Sequence, residues 1–134
     1  MIHLHNHSVY SDGRALCQTD ALIAKTKELG ESSLALTDID SMAGMVHFYG
    51  ECVKDGIKPI LGLDLRVTYD PIEDAKEEQD FGRLVLIIKN AEGYRSLVRL
   101  ATLSYSDERM SSLGPRVQFS DIEHHKAGLI VLTG

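Results

Sequence analysis

The first thirteen residues, Met1-Ile-His3-Leu-His5-Asn-His7-Ser8-Val-Tyr-Ser11-Asp12-Gly13, are the most informative segment of the sequence. Histidines occupy alternate positions, and a Ser-x-x-Ser-Asp-Gly turn follows them. In an extended strand, residues two apart point to the same face and lie roughly 7 Å apart. We therefore expect a first strand at about Ile2–His5, with the imidazoles of His5 and His7 side by side at its end.

Two adjacent imidazoles at the end of a strand predict a metal site. Imidazole is a ligand for Zn²⁺ or Mn²⁺, and Asp12, just after the strand, can fold back and add a carboxylate oxygen. His3 points either into this site or at a neighbouring strand. Two other readings stay open: a purification tag, although a tag is usually a contiguous run, and a polar strand face that happens to be rich in histidine.

Composition indicates an ordinary globular domain with no membrane segment. The 134 residues are 43% hydrophobic and 25% charged, and no apolar run approaches the roughly 20 residues that span a bilayer. Cys17 and Cys52 have no CxxC spacing, so we expect reduced thiols in a cytoplasmic protein. The net charge of −6 disfavours stand-alone binding to nucleic acid, because that affinity depends on Lys and Arg.

Short apolar runs alternate with amphipathic segments, which predicts parallel strands wrapped by helices. The acidic stretch Asp70–Asp80 is predicted to be an exposed loop or the tip of a hairpin. Thr19, Ser41 and Asn90 are expected to cap three helices, and Ser120 with Glu123 forms a capping box for a fourth. The remaining strands are expected at Leu34–Thr37, Pro59–Val67, Leu84–Ile88 and Leu129–Leu132, and the helices at Thr19–Leu29, Met42–Lys54, Asn90–Ser104 and around Ser120–Glu123.

Two of these helices have a predicted inward face. The apolar residues of the second helix are expected to lie on one helical face. They are Met42, Met45, Val46, Tyr49, Cys52 and Val53. In the third helix the expected inward residues are Tyr94, Leu97, Leu100 and Ala101.

Acidic residues lie where ligands gather in α/β folds, at the carboxyl ends of parallel strands. Asp38 and Asp40 end the second strand and Asp64 lies in the third. Asp38 could hold an imidazole by a hydrogen bond. The alternative for Asp38 and Asp64 is an acid of a cap or turn. Because a β/α barrel needs about 200 residues or more, the chain is either a small open sheet or, as we favour, part of a larger domain.

Three motifs resemble the PHP (polymerase and histidinol phosphatase) superfamily. They are His3–Gly13, Leu34–Asp38 and Ile57–Asp64. Further segments are similar to the N-terminal PHP domain of bacterial replicative DNA polymerase III alpha subunits: Phe48–Gly50, Gly56–Ile60, Leu84–Tyr94 and Gly128–Gly134. The resemblance implies that residues 1–134 are the N-terminal part of a single incomplete domain, a partial (β/α)₇ barrel truncated to roughly its first half.

The resemblance also implies a cluster of metal ions, with His5, His7 and Asp12 matching ligands of the first motif. Later positions depart from the pattern. Ile39 occupies the place of a histidine, with Asp40 one place late; Asp64 stands where the family has Glu. Arg83 stands where the family has a histidine, and a cation there would repel a metal ion.

An intact site of this family would be a metal-dependent phosphoesterase, here a 3′-5′ exonuclease using Zn, Mn or Mg. The full-length protein would be a DNA-directed DNA polymerase, a nucleotidyltransferase, whereas this part would be inactive or weakly active. Implied partners are the remainder of the alpha subunit, a proofreading exonuclease and the sliding clamp, with DNA contacted only through the full-length protein.

Two alternatives remain. The domain could be an eroded, non-catalytic scaffold that stabilises the polymerase and docks a proofreading nuclease, or a stand-alone small-molecule phosphatase. Exposed strand edges also predict that the isolated chain self-associates.

Overall fold

The computed structural model describes residues 1–11, 13–69 and 81–133. The chain forms two compact units, Met1–Leu63 and Asp64–Gly134. Asp12 and the acidic stretch Asp70–Asp80, for which we expected an exposed loop or the tip of a hairpin, lie outside the described residues. Among the described helices, none is long and apolar enough to cross a membrane.

The first unit is built on one strand–helix–strand arrangement. It contains α1 (Thr19–Glu28), β1 (Ser33–Leu36), α2 (Met45–Lys54) and the first part of β2 (Lys58–Thr68). β1 pairs parallel with β2, from Ser33 opposite Lys58 to Leu36 opposite Leu61. This parallel pairing confirms the expected α/β organisation. The core beneath it is apolar and contains Ile23, Leu34, Leu36, Phe48, Cys52 and Ile57.

The segment before α1 is not the regular strand that we expected at Ile2–His5. It does run beside β1, because Ala35 N donates to His3 O (3.3 Å) and Thr37 N to Asn6 O (2.9 Å). Other polar groups there bond to side chains instead. Asn6 N donates to Thr37 Oγ1, and Asn6 Nδ2 donates to the carbonyls of His3 and Ala35. Side-chain partners replace part of the ladder, so a regular strand does not form.

The first two helices begin at other residues than the sequence suggested. Gln18, not Thr19, is the N-cap of α1. The second helix begins at Met45, after Gly44, and not at Met42. Ser41 Oγ instead accepts a hydrogen bond from Ala43 N (3.2 Å), which closes a local turn before the helix. The predicted caps at Thr19 and Ser41 are therefore wrong.

The buried face of α2 also differs from the predicted one. Met45 and Cys52 are buried as expected, and so is Phe48. Apolar residues of the neighbouring stripe are exposed in this unit: Val46 (82%), Tyr49 (53%) and Val53 (55%). Apolar residues cover more than one face of this helix, so periodicity alone did not identify the face that packs on the core.

The second unit contains the rest of β2 and a mixed set of short elements. These are β3 (Phe81–Ile88), α3 (Ala91–Ser104), β4 (Met110–Ser111), β5 (Gly114–Pro115), β6 (Val117–Gln118), α4 (Phe119–His125) and β7 (Leu129–Thr133). The strand order is β1-β2-β3-β7, with β6 also paired to β2, whereas β4 and β5 form a separate hairpin.

The strands are not all parallel. β6 pairs parallel with β2, but β7 pairs antiparallel with β3, from Leu84 opposite Thr133 to Ile88 opposite Leu129. The reason is visible where β7 begins. Lys89 N donates to Gly128 O (2.9 Å), so the chain enters β7 at the end where β3 finishes and returns along it.

The cap of α3 confirms one sequence prediction and the cap of α4 corrects another. Asn90 Oδ1 accepts from Gly93 N (3.0 Å) and begins α3. In α4 the capping box joins Gln118 and Asp121, not Ser120 and Glu123, because the helix begins at Phe119.

The inward face of α3 is only partly as predicted. Leu97 and Leu100 are buried, but Tyr94, expected to point inward, is 48% exposed.

Candidate metal centre

His5 and His7 form a close pair in the first unit. Their Nε2 atoms are 3.0 Å apart and their rings meet edge to face, with centroids 4.7 Å apart. His5 is exposed and His7 is half-buried. Two nitrogens that each lie 2.0–2.1 Å from a tetrahedral ion would be about 3.3 Å apart. The two imidazoles are thus side by side, as expected, and their spacing suits chelation of one metal ion.

The turn after His7 is fastened to Asp38. This carboxylate is 2% exposed. Its Oδ1 accepts from the backbone N–H of Ser8 and from Ser11 Oγ (2.7 Å), and its Oδ2 accepts from Ser8 Oγ (2.8 Å). The hydrogen-bond donors to the buried Asp38 carboxylate are therefore Ser8 and Ser11. We had expected an imidazole to be its partner. Asp38 therefore shapes the turn of the first motif without a hydrogen bond to a histidine.

Thr37, the residue before Asp38, fastens the histidine segment itself. It is fully buried. Its hydroxyl donates to Asn6 O (3.1 Å) and accepts from Asn6 N (3.0 Å), so it grips the residue between the two histidines. Ser11 Oγ similarly accepts from Ile39 N (3.0 Å). Our sequence reasoning missed Thr37, Ser8 and Ser11, although the Ser-x-x-Ser spacing beside a buried acid was a usable signal.

Asp40 follows this region with an unusual backbone. It is 8% exposed, and its φ of 56° makes it the one non-glycine residue with a left-handed conformation in the described part of the chain. Such conformations cost energy and cluster at functional sites. Its role as a metal ligand stays a prediction, as does that of Asp12, which lies outside the described residues.

Asp64, in the second unit, forms an ion pair with Arg83. Arg83 Nε donates to Asp64 Oδ1 (2.6 Å), and its Nη2 donates to the Asp64 carbonyl (2.7 Å). The side chains are 23% and 4% exposed. A buried carboxylate costs several kcal/mol unless it is paired. The guanidinium supplies that pairing, which the sequence did not indicate.

Two of the other histidines have surface partners. His47 Nε2 lies 2.9 Å from Asp20 Oδ1 in an exposed pair between α2 and α1. His124 Nδ1 lies 2.6 Å from Ser120 O within α4.

Comparison with known proteins identifies the family. The PHP domain family matches residues 3–134, so the chain belongs to it. The chain is also similar to DNA polymerase III alpha subunits. It is 38% identical to that of Chlamydia muridarum over 98% of its length, 37% to that of Borreliella burgdorferi over 96%, and 34% to that of Escherichia coli over 99%. It spans about 11% of the length of each of these relatives.

Solved structures confirm the fold. A protein from Bifidobacterium adolescentis described as a metal-dependent phosphoesterase aligns with a TM-score of 0.51 and 19% identity, over 77% of this chain and 34% of that one. An amidohydrolase from Chromobacterium violaceum, with bound sulfate and no metal, aligns with a TM-score of 0.56 and 24% identity, over 75% and 32%. The region that aligns with this chain is about a third of each solved structure, which is consistent with a partial barrel.

Proposed function

We propose that this chain is part of the N-terminal PHP domain of a bacterial replicative DNA polymerase III alpha subunit. The similarity to alpha subunits along nearly the whole chain supports this assignment. The DNA polymerase activity belongs to the full-length protein, which would meet DNA through its other domains, because this part carries a net charge of −6. The remainder of the alpha subunit, a proofreading exonuclease and the sliding clamp would be its cytoplasmic partners.

Within this domain, His5 and His7 are the core of a divalent metal site. The observation that carries this is the 3.0 Å separation of their Nε2 atoms. Asp64, Asp12 and Asp40 are the carboxylates proposed to join them, because imidazole and carboxylate donors together suit Zn²⁺ and Mn²⁺. Such an ion would polarise a phosphoester oxygen and supply an activated water, as a 3′-5′ exonuclease requires.

The residues around the pair would keep the ligands in place. Thr37 holds the backbone of Asn6 between the two imidazoles through both of its hydroxyl bonds. Asp38 anchors the turn that follows His7 through Ser8 and Ser11. Ligands that are already fixed lose little conformational entropy on binding, so these contacts favour a preformed site.

The test is the metal content of untagged protein purified without chelator. We expect about one equivalent of Zn or Mn per chain, lost in the His5→Ala/His7→Ala double variant. The matched control is His124→Ala/His125→Ala, which removes two histidines elsewhere and is expected to keep the metal. A wild type that binds neither Zn²⁺ nor Mn²⁺ after addition would contradict the metal site.

The second candidate is a non-catalytic scaffold that stabilises the polymerase and docks a proofreading nuclease. The ion pair between Arg83 and Asp64 favours it, because it occupies one proposed metal ligand with a protein cation. Ile39, an apolar residue where the resemblance implies a histidine, favours it as well. A chain whose stability is unchanged by chelator and which binds no metal would support the scaffold over the phosphoesterase.

A further inference from the structure

The second unit contains a buried acid that is neutralised from inside the chain. Arg83 Nε and Nη2 reach the side chain and the main chain of Asp64 at 2.6 and 2.7 Å. Two nitrogens of the guanidinium therefore bind one residue of β2, whereas Arg83 itself lies in β3. This contact links the two strands by charge as well as by hydrogen bonds.

We propose that the Arg83 guanidinium occupies, at Asp64, the place of a metal ion. A divalent ion in such a site neutralises a carboxylate and fixes its orientation, and the Arg83 fork does both through planar, charge-assisted hydrogen bonds. This inference deepens the proposed function and rests on it only in counting Asp64 among the ligands. The ion pair itself is observed independently of any metal.

The replacement has a consequence for metal binding. The guanidinium is a cation that already lies beside the Asp64 carboxylate. A metal ion approaching Asp64 must either displace this cation or bind beside it against charge repulsion. Arg83 therefore makes the second unit independent of metal and weakens any metal site that includes Asp64.

The experiment compares four forms of the 134-residue chain by thermal unfolding, with EDTA and with added Mn²⁺. They are wild type, Arg83→Met, Arg83→Met/Asp64→Asn and Arg109→Met. Mn²⁺ is used because it prefers oxygen ligands and avoids the cysteines of the unfolded chain. Arg109→Met is the matched control, since Arg109 makes a comparable half-buried pair with Asp121 at 3.2 Å, with exposures of 17% and 15%.

We expect Mn²⁺ in place of EDTA to change the melting temperature of wild type by the same amount as that of Arg83→Met/Asp64→Asn, because an ion held by His5 and His7 does not use Asp64 while Arg83 is paired with it. In Arg83→Met the melting temperature in EDTA falls by roughly 5 °C or more, and Mn²⁺ raises it by more than it raises that of wild type. Mn²⁺ also binds Arg83→Met at least about tenfold tighter than wild type, because the repelling charge is gone. This larger response is absent in the double variant. Arg109→Met is destabilised in both solutions alike.

Two results would overturn the proposal: a wild type that responds to Mn²⁺ more than Arg83→Met/Asp64→Asn does, or an Arg83→Met chain no more responsive to Mn²⁺ than wild type. If Arg83→Met does not fold, Arg83→Lys keeps the charge without the fork; a folded Lys variant that responds to Mn²⁺ no more than wild type supports the proposal, and a more responsive one opposes it. The two hypotheses remain separable, because the metal content of wild type and of His5→Ala/His7→Ala tests the histidine site alone, whereas the larger response of Arg83→Met and its loss with Asp64 test the replacement alone.

Discussion

Removal of the Asp38 carboxylate should cost more stability than any other single change in the turn of the first motif. The side chain is 2% exposed and accepts three hydrogen bonds, from Ser8 N, Ser8 Oγ and Ser11 Oγ. Hydrogen bonds to a charged group contribute about 1.5–3 kcal/mol each. The three share one carboxylate, and the released hydroxyls can reorient, so we take the low end. Asp38→Ala should lower the free energy of unfolding by about 3–5 kcal/mol.

Asp38→Asn separates charge from shape. Its Oδ1 keeps the two bonds from Ser8 N and Ser11 Oγ, while its amide replaces Oδ2 and becomes a donor. Ser8 Oγ can then accept from that amide, because a hydroxyl serves either role. The number of hydrogen bonds is conserved and only the charge assistance is lost. We expect a cost of about 1–2 kcal/mol.

Urea denaturation followed by far-UV circular dichroism measures both values, since the chain has no tryptophan. The matched control is Asp20→Asn, whose carboxylate is 73% exposed beside His47 and should change stability by under about 0.5 kcal/mol. The reasoning fails if Asp38→Ala costs less than about 1 kcal/mol, or if the Asn variant costs as much as the Ala variant. In the latter case the charge, and not the hydrogen bonds, would be what matters.

Further predictions concern a tight backbone crossing and the two thiols. A Cβ on Gly93 would lie 1.9 Å from Gly128 O, so Gly93→Ala should lower the free energy of unfolding, measured by urea denaturation, by about 2–4 kcal/mol. The control is Gly50→Ala, which has open space around it and should raise that free energy by about 0.5–1 kcal/mol. Equal effects of the two substitutions would contradict the close approach of Gly93 to Gly128. Burial raises the pKa of the Cys52 thiol from 9.0 to about 11, so at pH 8 a thiol reagent should modify Cys17 alone until the chain unfolds. Because the folded chain then keeps a proton that the unfolded chain releases, stability should fall as pH rises from 9 to 11; a flat profile would contradict this.

The strands β1, β2, β3 and β7 and the helix α3 were predictable from the sequence because their signals are local. The apolar runs at Pro59–Val67 and Leu84–Ile88 coincide with β2 and β3 to within three residues. Asn90 was identified as a cap because its side chain reaches the N–H of Gly93, three residues ahead, without help from the rest of the fold. Such signals depend on neighbours in sequence, which is all that a pattern contains.

The errors occur where the sequence allows more than one arrangement and the folded structure selects one of them. Ser41 has the chemistry of an N-cap, but its hydroxyl closes a turn with Ala43 instead. Val46 and Tyr49 match helical spacing as well as Phe48 does, and only packing against the first unit's core selects Phe48. Equally, the direction of β7 depends on where the chain re-enters after α4, which no strand pattern encodes.

The site shows the same division between local and distant signals. The alternation of His5 and His7 predicted adjacent imidazoles, and their Nε2 atoms are indeed 3.0 Å apart. The regular strand expected to present them is absent, and side chains from the end of β1 hold them instead. Thr37 and Asp38 perform this through hydrogen bonds to residues about thirty positions away in sequence. The Ser-x-x-Ser spacing can indicate a turn that needs a polar partner, but it does not identify which distant side chain is that partner.

Arg83 has a role in the structure that the sequence did not suggest. From the sequence it was only a cation that a metal ion would avoid, and therefore an argument against chemistry. In the structure, Arg83 also contacts Asp64. A buried carboxylate with no metal ion beside it must either lose its charge or lie next to another cation. The Arg83 guanidinium, with Nε 2.6 Å from Asp64 Oδ1, is that cation. This explains how an acid of the third motif can stay buried whether or not His5 and His7 bind metal. The imidazole pair and the acid are therefore expected to respond to metal separately, which is why they must be tested with separate variants.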